Sequence, residues 1–224
     1  MDAVAGFDIP RNWTFNDQAV AAGFERHVRE QLPFYEMATG AIAHVARHYI
    51  PTDGVVYDLG AATGNIGRAL APTLAARKAI LIAVEPSAEM AALYAGPPET
   101  AQLVIERAEK VEFWPFDVAI AFLTLMFIAP AERKPLLDRL VSAAKPGGAI
   151  IIFDKCEAEW GYVGTVLWRL ALAGKLAAGV DPAEIVAKEL SLSGVQRPLP
   201  RGLLPENAVE FFRFGEFAGW VIET

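Results

Sequence analysis

Histidine and cysteine are scarce in this chain, with three and one in 224 residues. Cys156 has no partner for an internal disulfide, which fits a reducing compartment, and it reads as a small buried hydrophobe rather than a nucleophile. His27, His44 and His48 all precede the first strand, and no glutamate follows them in a zinc-binding pattern. Positive charge is also short: 20 Lys and Arg stand against 27 Asp and Glu, for a net charge of -7. That balance gives no global pull towards nucleic acid. The two local basic groups, Arg26/His27/Arg29 and Arg197/Arg201, read as ordinary solvated surface. Membrane-length apolar runs are missing too. Val118 to Pro130 is too short to cross a bilayer, and Val163 to Val180 is broken by Arg169 and Lys175. With no basic-then-apolar leader at its start, the chain is expected to be cytoplasmic and free of membrane.

What is present is apolar: 54% of residues are hydrophobic, as suits a sheet covered on both faces. The length fits a single domain spanning 1–224, with a large core. Short runs rich in Val, Ile or Phe predict strands at 55–59, 79–84, 101–106, 117–123 and 148–154. Helices are expected between most of them, at 65–76 (tightened or ended near Pro72), 87–95 and 131–144, the last stopped by Pro146-Gly147-Gly148. Two helices interrupted at Pro33 form an N-terminal extension over about 17–50. A helical insert occupies about 157–190, and Val209 to Glu223 alternates around Gly215 as an antiparallel hairpin. Strands alternating with helices imply right-handed crossovers. The expected fold is therefore α/β, a Rossmann-like, doubly wound, seven-stranded and mostly parallel sheet that ends in an antiparallel hairpin.

The chemistry is written at the first strand. Val55-Val56-Tyr57-Asp58-Leu59 leads into Gly60-Ala61-Ala62-Thr63-Gly64, and a helix opens at Asn65. Small residues at Gly60, Ala62 and Gly64 let a ligand approach the backbone, and the helix start points its N–H groups into the same space. Glu85 ends the next strand, where a carboxylate can accept from both hydroxyls of a ribose. A dinucleotide site needs G-x-G-x-x-G to seat pyrophosphate. Here Asp58 stands two residues before the first glycine, which repels pyrophosphate and suits a cationic nucleoside. The pattern resembles the first motif of class I S-adenosylmethionine-dependent methyltransferases.

Several segments carry a narrower resemblance: Trp13-Thr14-Phe15-Asn16, Leu32-Pro33-Phe34-Tyr35, Ile82-Ala83-Val84-Glu85, Leu123 to Arg133, and Lys145-Pro146-Gly147-Gly148-Ala149. Together with Val56 to Gly60 they resemble the carboxy-S-adenosylmethionine synthases, whose members carboxylate the cofactor's methyl group from prephenate and so support tRNA wobble-uridine modification. The resemblance runs from about Trp13 to Lys155 and fades beyond about Gln196. It implies a homodimer. It also implies cofactor contacts at Tyr35, at the turn Gly60-Ala61-Ala62, and at Glu85 with Pro86; an aromatic plug is the other reading of Tyr35.

Three positions depart from that family's pattern. Ala108-Glu109 stands where the family has an aspartate and an apolar residue against adenine, Phe122 replaces an asparagine near the cofactor, and Glu189 aligns with the arginine that grips the added carboxylate. A glutamate there repels a carboxylate, which disfavours the carboxylated cofactor unless Lys188 or Arg197 takes the arginine's place. The expectation is an S-adenosylmethionine-binding transferase, a methyltransferase on an unidentified acceptor. The synthase itself and a catalytically silent cofactor-binding module are the alternatives. No catalytic residue is assigned, because in-line positioning of donor and acceptor supplies most of the rate in methyl transfer. Asp154, Glu157 and Glu159 lack a histidine and read as a solvated strand end rather than a metal site. In the insert, Trp160, Tyr162, Trp168 and Leu172 are either a wall of the substrate pocket or a dimer or core contact.

Overall fold

The computed structural model describes residues 9–157, 161–200 and 202–224, so Glu159, Trp160 and Arg201 lie outside the described residues. Five parallel strands make up most of the sheet: β1 (Val55–Leu59), β2 (Ile80–Val84), β3 (Ala101–Val104), β4 (Phe116–Phe122) and β5 (Ala144–Lys155). The expected hairpin comes next as β6 (Val209–Phe214) and β7 (Phe217–Glu223), antiparallel to each other, with β7 antiparallel to β5. The order is β3-β2-β1-β4-β5-β7-β6. It reverses direction between β1 and β4, the switch point at which open α/β sheets open a crevice.

Both faces of the sheet are covered. On β4, Val118, Ile120 and Phe122 pack with α2 (Tyr35–Ala46) and α3 (Asn65–Arg77). Ala119 and Ala121 face the other way, towards Leu136, Leu137 and Leu140 of α5 (Pro130–Ala143). This alternation along a strand whose seven residues are all buried is why its sequence reads as a continuous apolar run.

The N-terminal extension is α1 (Gln18–Gln31) and α2, separated at Pro33, and Asp17 caps α1 by accepting from the Ala19 and Val20 N–H groups. The insert is two helices. α6 (Tyr162–Ala177) ends before Gly179, whose φ of +86° is in the left-handed region, and α7 (Pro182–Ser191) starts at Pro182 with Asp181 as its cap. Among the described residues, no helix is long and apolar enough to cross a membrane.

α3 covers the expected 65–76 and, of the two readings of Pro72, passes through it to Arg77, because a proline within a packed helix forfeits one backbone bond without ending it. Two local expectations need correction. α4 (Ala88–Ala91) is shorter than 87–95, since the chain turns away and the Ala95 N–H donates to Thr63 O at 3.0 Å. β5 begins directly after α5, and the Pro-Gly-Gly sequence lies inside it as an irregularity in register. A Cβ on Gly148 would sit 2.4 Å from the Asp117 carbonyl oxygen, so only glycine fits there.

Candidate functional site

At the carboxyl ends of β1 and β2 the backbone is held in costly geometry. Gly60 has φ +71°, and a Cβ there would lie 2.6 Å from Thr124 Oγ1, which donates to Leu59 O at 2.7 Å. Ala62 takes φ +48°, which costs a non-glycine residue about 1–2 kcal/mol. Its N–H donates to Glu85 Oε2 at 2.8 Å, and the other oxygen of Glu85 accepts from the Ser87 N–H at 2.9 Å. Each carboxylate oxygen keeps a second lone pair for a ligand. Asp58 is 2% exposed, and its Oδ2 has no hydrogen-bond partner among the described residues. Burial, and then the nearby Glu85 carboxylate, push its pKa up to about 7.

These groups line a cavity of about 550 Å³. Every cofactor contact expected from the sequence reaches it except Gly64: Tyr35, Asp58, Gly60, Ala61, Ala62, Glu85, Pro86, Ala108, Glu109 and Phe122 all lie on its wall. Gly64 is needed for another reason. A Cβ there would sit 2.9 Å from the Gly96 nitrogen and 3.0 Å from the Tyr94 ring, so this glycine admits the loop after α4 rather than a ligand. Tyr35 is both a wall residue and a plug, buried and stacked on Phe122 at 5.1 Å. Phe122 thus supplies an aromatic surface where the resemblance expects an amide. Glu109 is buried and paired with Arg107, so a carboxylate still faces the cavity after β3.

The cavity's roof comes from both ends of the sequence. Trp13 donates its backbone N–H to Ser191 O at 2.9 Å, which ties the N-terminal segment to α7. Trp168 and Leu172 of α6 face the cavity, so the insert does form a wall. Lys188, one of the two alternatives to the family arginine, lines this end, and it is joined by Lys155 and Lys175 with Glu189 and Glu216; Arg197 does not line it. Lys175 was visible only as the charge that interrupts an apolar helix. Glu189 Oε1 is 3.3 Å from Lys175 Nζ, and its Oε2 is 3.8 Å from Lys155 Nζ. Burial alone raises the Glu189 pKa, but these ammonium groups outweigh it and hold the carboxyl below its usual range. The expected repulsion treated Glu189 as an isolated charge; in the fold its charge is compensated by lysines.

A second unforeseen network fastens α1 to the glycine turn. Glu25 accepts from Asn65 Nδ2 at 3.1 Å and Arg68 Nη2 at 2.7 Å, and it also bonds to Thr63 and Arg29. Arg29 pairs in addition with Glu36, and Arg26 with Glu30, so these two arginines are committed to carboxylates. His27 is not solvated surface: it is buried and stacked on Trp13 at 5.4 Å, and burial, followed by Lys188, lowers its pKa to about 3. Asp154 is likewise no solvated strand end. It is fully buried and accepts from the Met126 N–H at 3.2 Å and the Lys155 N–H at 3.1 Å. Near it the buried Arg133 donates to Ile128 O at 2.9 Å, Arg197 O at 2.7 Å, Pro198 O at 3.2 Å and Met126 O at 3.3 Å. This side chain pins the cavity-lining segment Met126 to Ile128. Burial pushes the Cys156 thiol up to about 12, in keeping with an inert side chain.

Known proteins agree with this architecture. A methyltransferase-domain family matches residues 56–148. The carboxy-S-adenosyl-L-methionine synthase of Aliivibrio salmonicida is 30% identical over 208 residues, which cover 88% of this chain and 83% of the relative. The synthase of Staphylococcus epidermidis is 26% identical over 85% of this chain and 84% of its own length. The solved complex of DhpI with SAH is 14% identical, covers 91% of each chain and has a TM-score of 0.55, a likeness of fold. On its sheet order, its glycine turn and these relatives, the chain belongs to the carboxy-S-adenosyl-L-methionine synthase family, built on the class I methyltransferase fold.

Proposed function

We propose that this protein binds S-adenosylmethionine in the acidic half of the cavity and transfers its methyl group to an acceptor held in the other half. The observation that carries this reading is Asp58, a buried carboxylate with an unsatisfied oxygen beside Glu85. A buried anionic acceptor is costly until a cation reaches it, which fits the cofactor's ammonium and sulfonium. Glu85 would take the ribose hydroxyls, and Glu109 the adenine edge. The bound cofactor supplies an activated methyl group. Tyr35 and Phe122 keep water from the reacting centre, and the roof orients the acceptor in line.

Glu85→Ala is expected to weaken S-adenosylmethionine binding by about 1–3 kcal/mol, because two hydroxyls lose a charged partner. Calorimetry checks this, alongside melting curves, since the same side chain holds the Ala62 and Ser87 N–H groups. Unchanged affinity in a folded variant removes Glu85 from the site.

Family membership and the lysines at the far end support a second reading, carboxy-S-adenosylmethionine synthesis in tRNA wobble-uridine modification. The mass of the small molecule released from purified protein separates the two. S-adenosylmethionine or its demethylated product supports the methyltransferase, and the carboxylated form promotes the synthase. A protein that neither carries a ligand nor binds S-adenosylmethionine on titration overturns both.

We infer in addition that the protein pairs with a second copy in the cytoplasm. α6 presents Tyr162 (72% exposed), Val163 (56%) and Val166 (44%) to the outside, more contiguous apolar surface than single scattered residues leave. Light scattering at micromolar concentration is expected to report a dimer; a monomer contradicts the inference.

A further inference from the structure

The cavity is electrically two-sided. Asp58, Glu85 and Glu109 outnumber Arg107 at one end, while Lys155, Lys175 and Lys188 outnumber Glu189 and Glu216 at the other. Within the basic end the pairing is explicit. Lys175 lies 3.3 Å from Glu189, and Lys155 lies 3.8 Å from Glu189 and 3.7 Å from Glu216. Two ammonium groups and two carboxylates thus balance, and Lys188 is left over. It is 8% exposed, and its Nζ rests over the Trp13 indole. Among the described residues no carboxylate comes within ion-pairing distance of it. Charging a buried amine without a counter-ion is costly, and an incoming anion removes that cost. The surrounding wall is flat and apolar, from Trp13, Trp168, Leu172 and Leu192.

We propose that this basic end is the acceptor site and that its ligand is an organic monoanion with a planar apolar body, an aryl carboxylate, with Lys188 as its counter-ion. Protonated on binding, Lys188 supplies one positive charge for one negative charge; a phosphate dianion would remain under-compensated. The planar body is suggested by the two indoles, which offer large rigid faces at little cost in side-chain freedom. The assignment rests on the methyltransferase reading for what the anion is doing there, but not for its binding.

The proton state of Lys188 gives the site a signature. Burial, and then Lys175 on α6, lower its pKa to about 5, against a smaller opposing pull from Glu189 and Glu184 on α7. His27 on α1 faces it as a neutral ring, and Lys155 and Glu216 complete the charged groups around it. Near neutral pH the empty site therefore holds an uncharged amine. An anion binds together with a proton, so its affinity falls as pH rises above about 5, by up to about tenfold per pH unit until the pKa in the complex is passed.

The test is calorimetric titration of the whole protein with indole-3-acetate and with indole-3-acetamide, with and without S-adenosylhomocysteine. At about pH 6 the acid is expected to bind at least about tenfold more tightly than the amide, with the preference shrinking by about pH 8. Lys188→Met should abolish the preference. Lys188→Arg should keep it and remove its pH dependence, since guanidinium stays charged. Equal binding of acid and amide to the wild-type protein, no binding of either at millimolar concentration, or a preference that survives Lys188→Met overturns the proposal. S-adenosylhomocysteine titrated alone reports on the methyltransferase reading separately: its failure to bind sinks that reading, while the acid–amide comparison still decides this one.

Discussion

At about pH 8, Asp58→Asn is expected to stabilise the ligand-free protein by about 2–4 kcal/mol and to weaken S-adenosylmethionine binding by about tenfold or more. Both effects have one cause. Burial and the neighbouring Glu85 raise the Asp58 pKa to about 7 from an ordinary value of 3.8. Below that ordinary value the carboxyl is protonated in folded and unfolded chains alike, and the penalty is absent. It grows as pH rises towards 7 and is complete above it. Asparagine never incurs it. A cationic ligand, by contrast, favours the ionised form, so binding to the wild type expels a proton below pH 7 and tightens as pH rises. The asparagine variant lacks that slope. Denaturant midpoints at about pH 5 and pH 8, with calorimetry at the same two values, check the pair of effects. A variant that loses stability at pH 8, or binds with the wild-type pH slope, shows that Asp58 is solvated or otherwise satisfied.

Arg133→Met is expected to cost about 3–5 kcal/mol of stability. Methionine fills much of the volume but orphans three carbonyl oxygens, those of Ile128, Arg197 and Pro198, while Met126 O keeps the Arg197 N–H. It also removes the cation beside the buried Asp154. Because Met126 to Ile128 lines the cavity, the loss should extend to ligand binding, with the affinity for S-adenosylhomocysteine falling in the folded variant. Denaturant unfolding measures the first effect and titration the second. A cost below about 1 kcal/mol would show that water reaches the orphaned carbonyls.

The two halves of the cavity differ in how far the sequence exposes them. The acidic half was legible because it is local: Asp58, Gly60, Ala62 and Glu85 lie at the ends of adjacent strands, where spacing along the chain translates directly into spacing in the cavity. Gly64 looked the same on paper, yet its missing Cβ makes room for Tyr94 and Gly96, contacts that only the turn after α4 creates. Beyond Lys188 as an alternative to the family arginine, the basic half was illegible for the opposite reason. Lys155, Lys175 and Lys188 stand on β5, α6 and α7, and none is unusual in its own neighbourhood. Glu189 illustrates the difficulty: judged by its own charge it repels an anion, and judged with its lysine partners it is neutralised. Arg133 was hidden too, because a helix arginine is ordinarily solvated and nothing nearby in sequence marks the carbonyls it serves.

The cavity's floor belongs to the strand ends between 55 and 122, whereas its roof is drawn from Trp13 to Gln31 and from α6 and α7. On the proposed reading, donor and acceptor chemistry are carried largely by separate stretches of chain, with Lys155 of β5 the exception. Substitutions accumulating in the roof can retune which molecule receives the group without touching how the donor is held. Of the three departures from the family pattern, Glu189 sits in that roof, while Ala108-Glu109 and Phe122 lie on the floor, so this lineage has altered both surfaces.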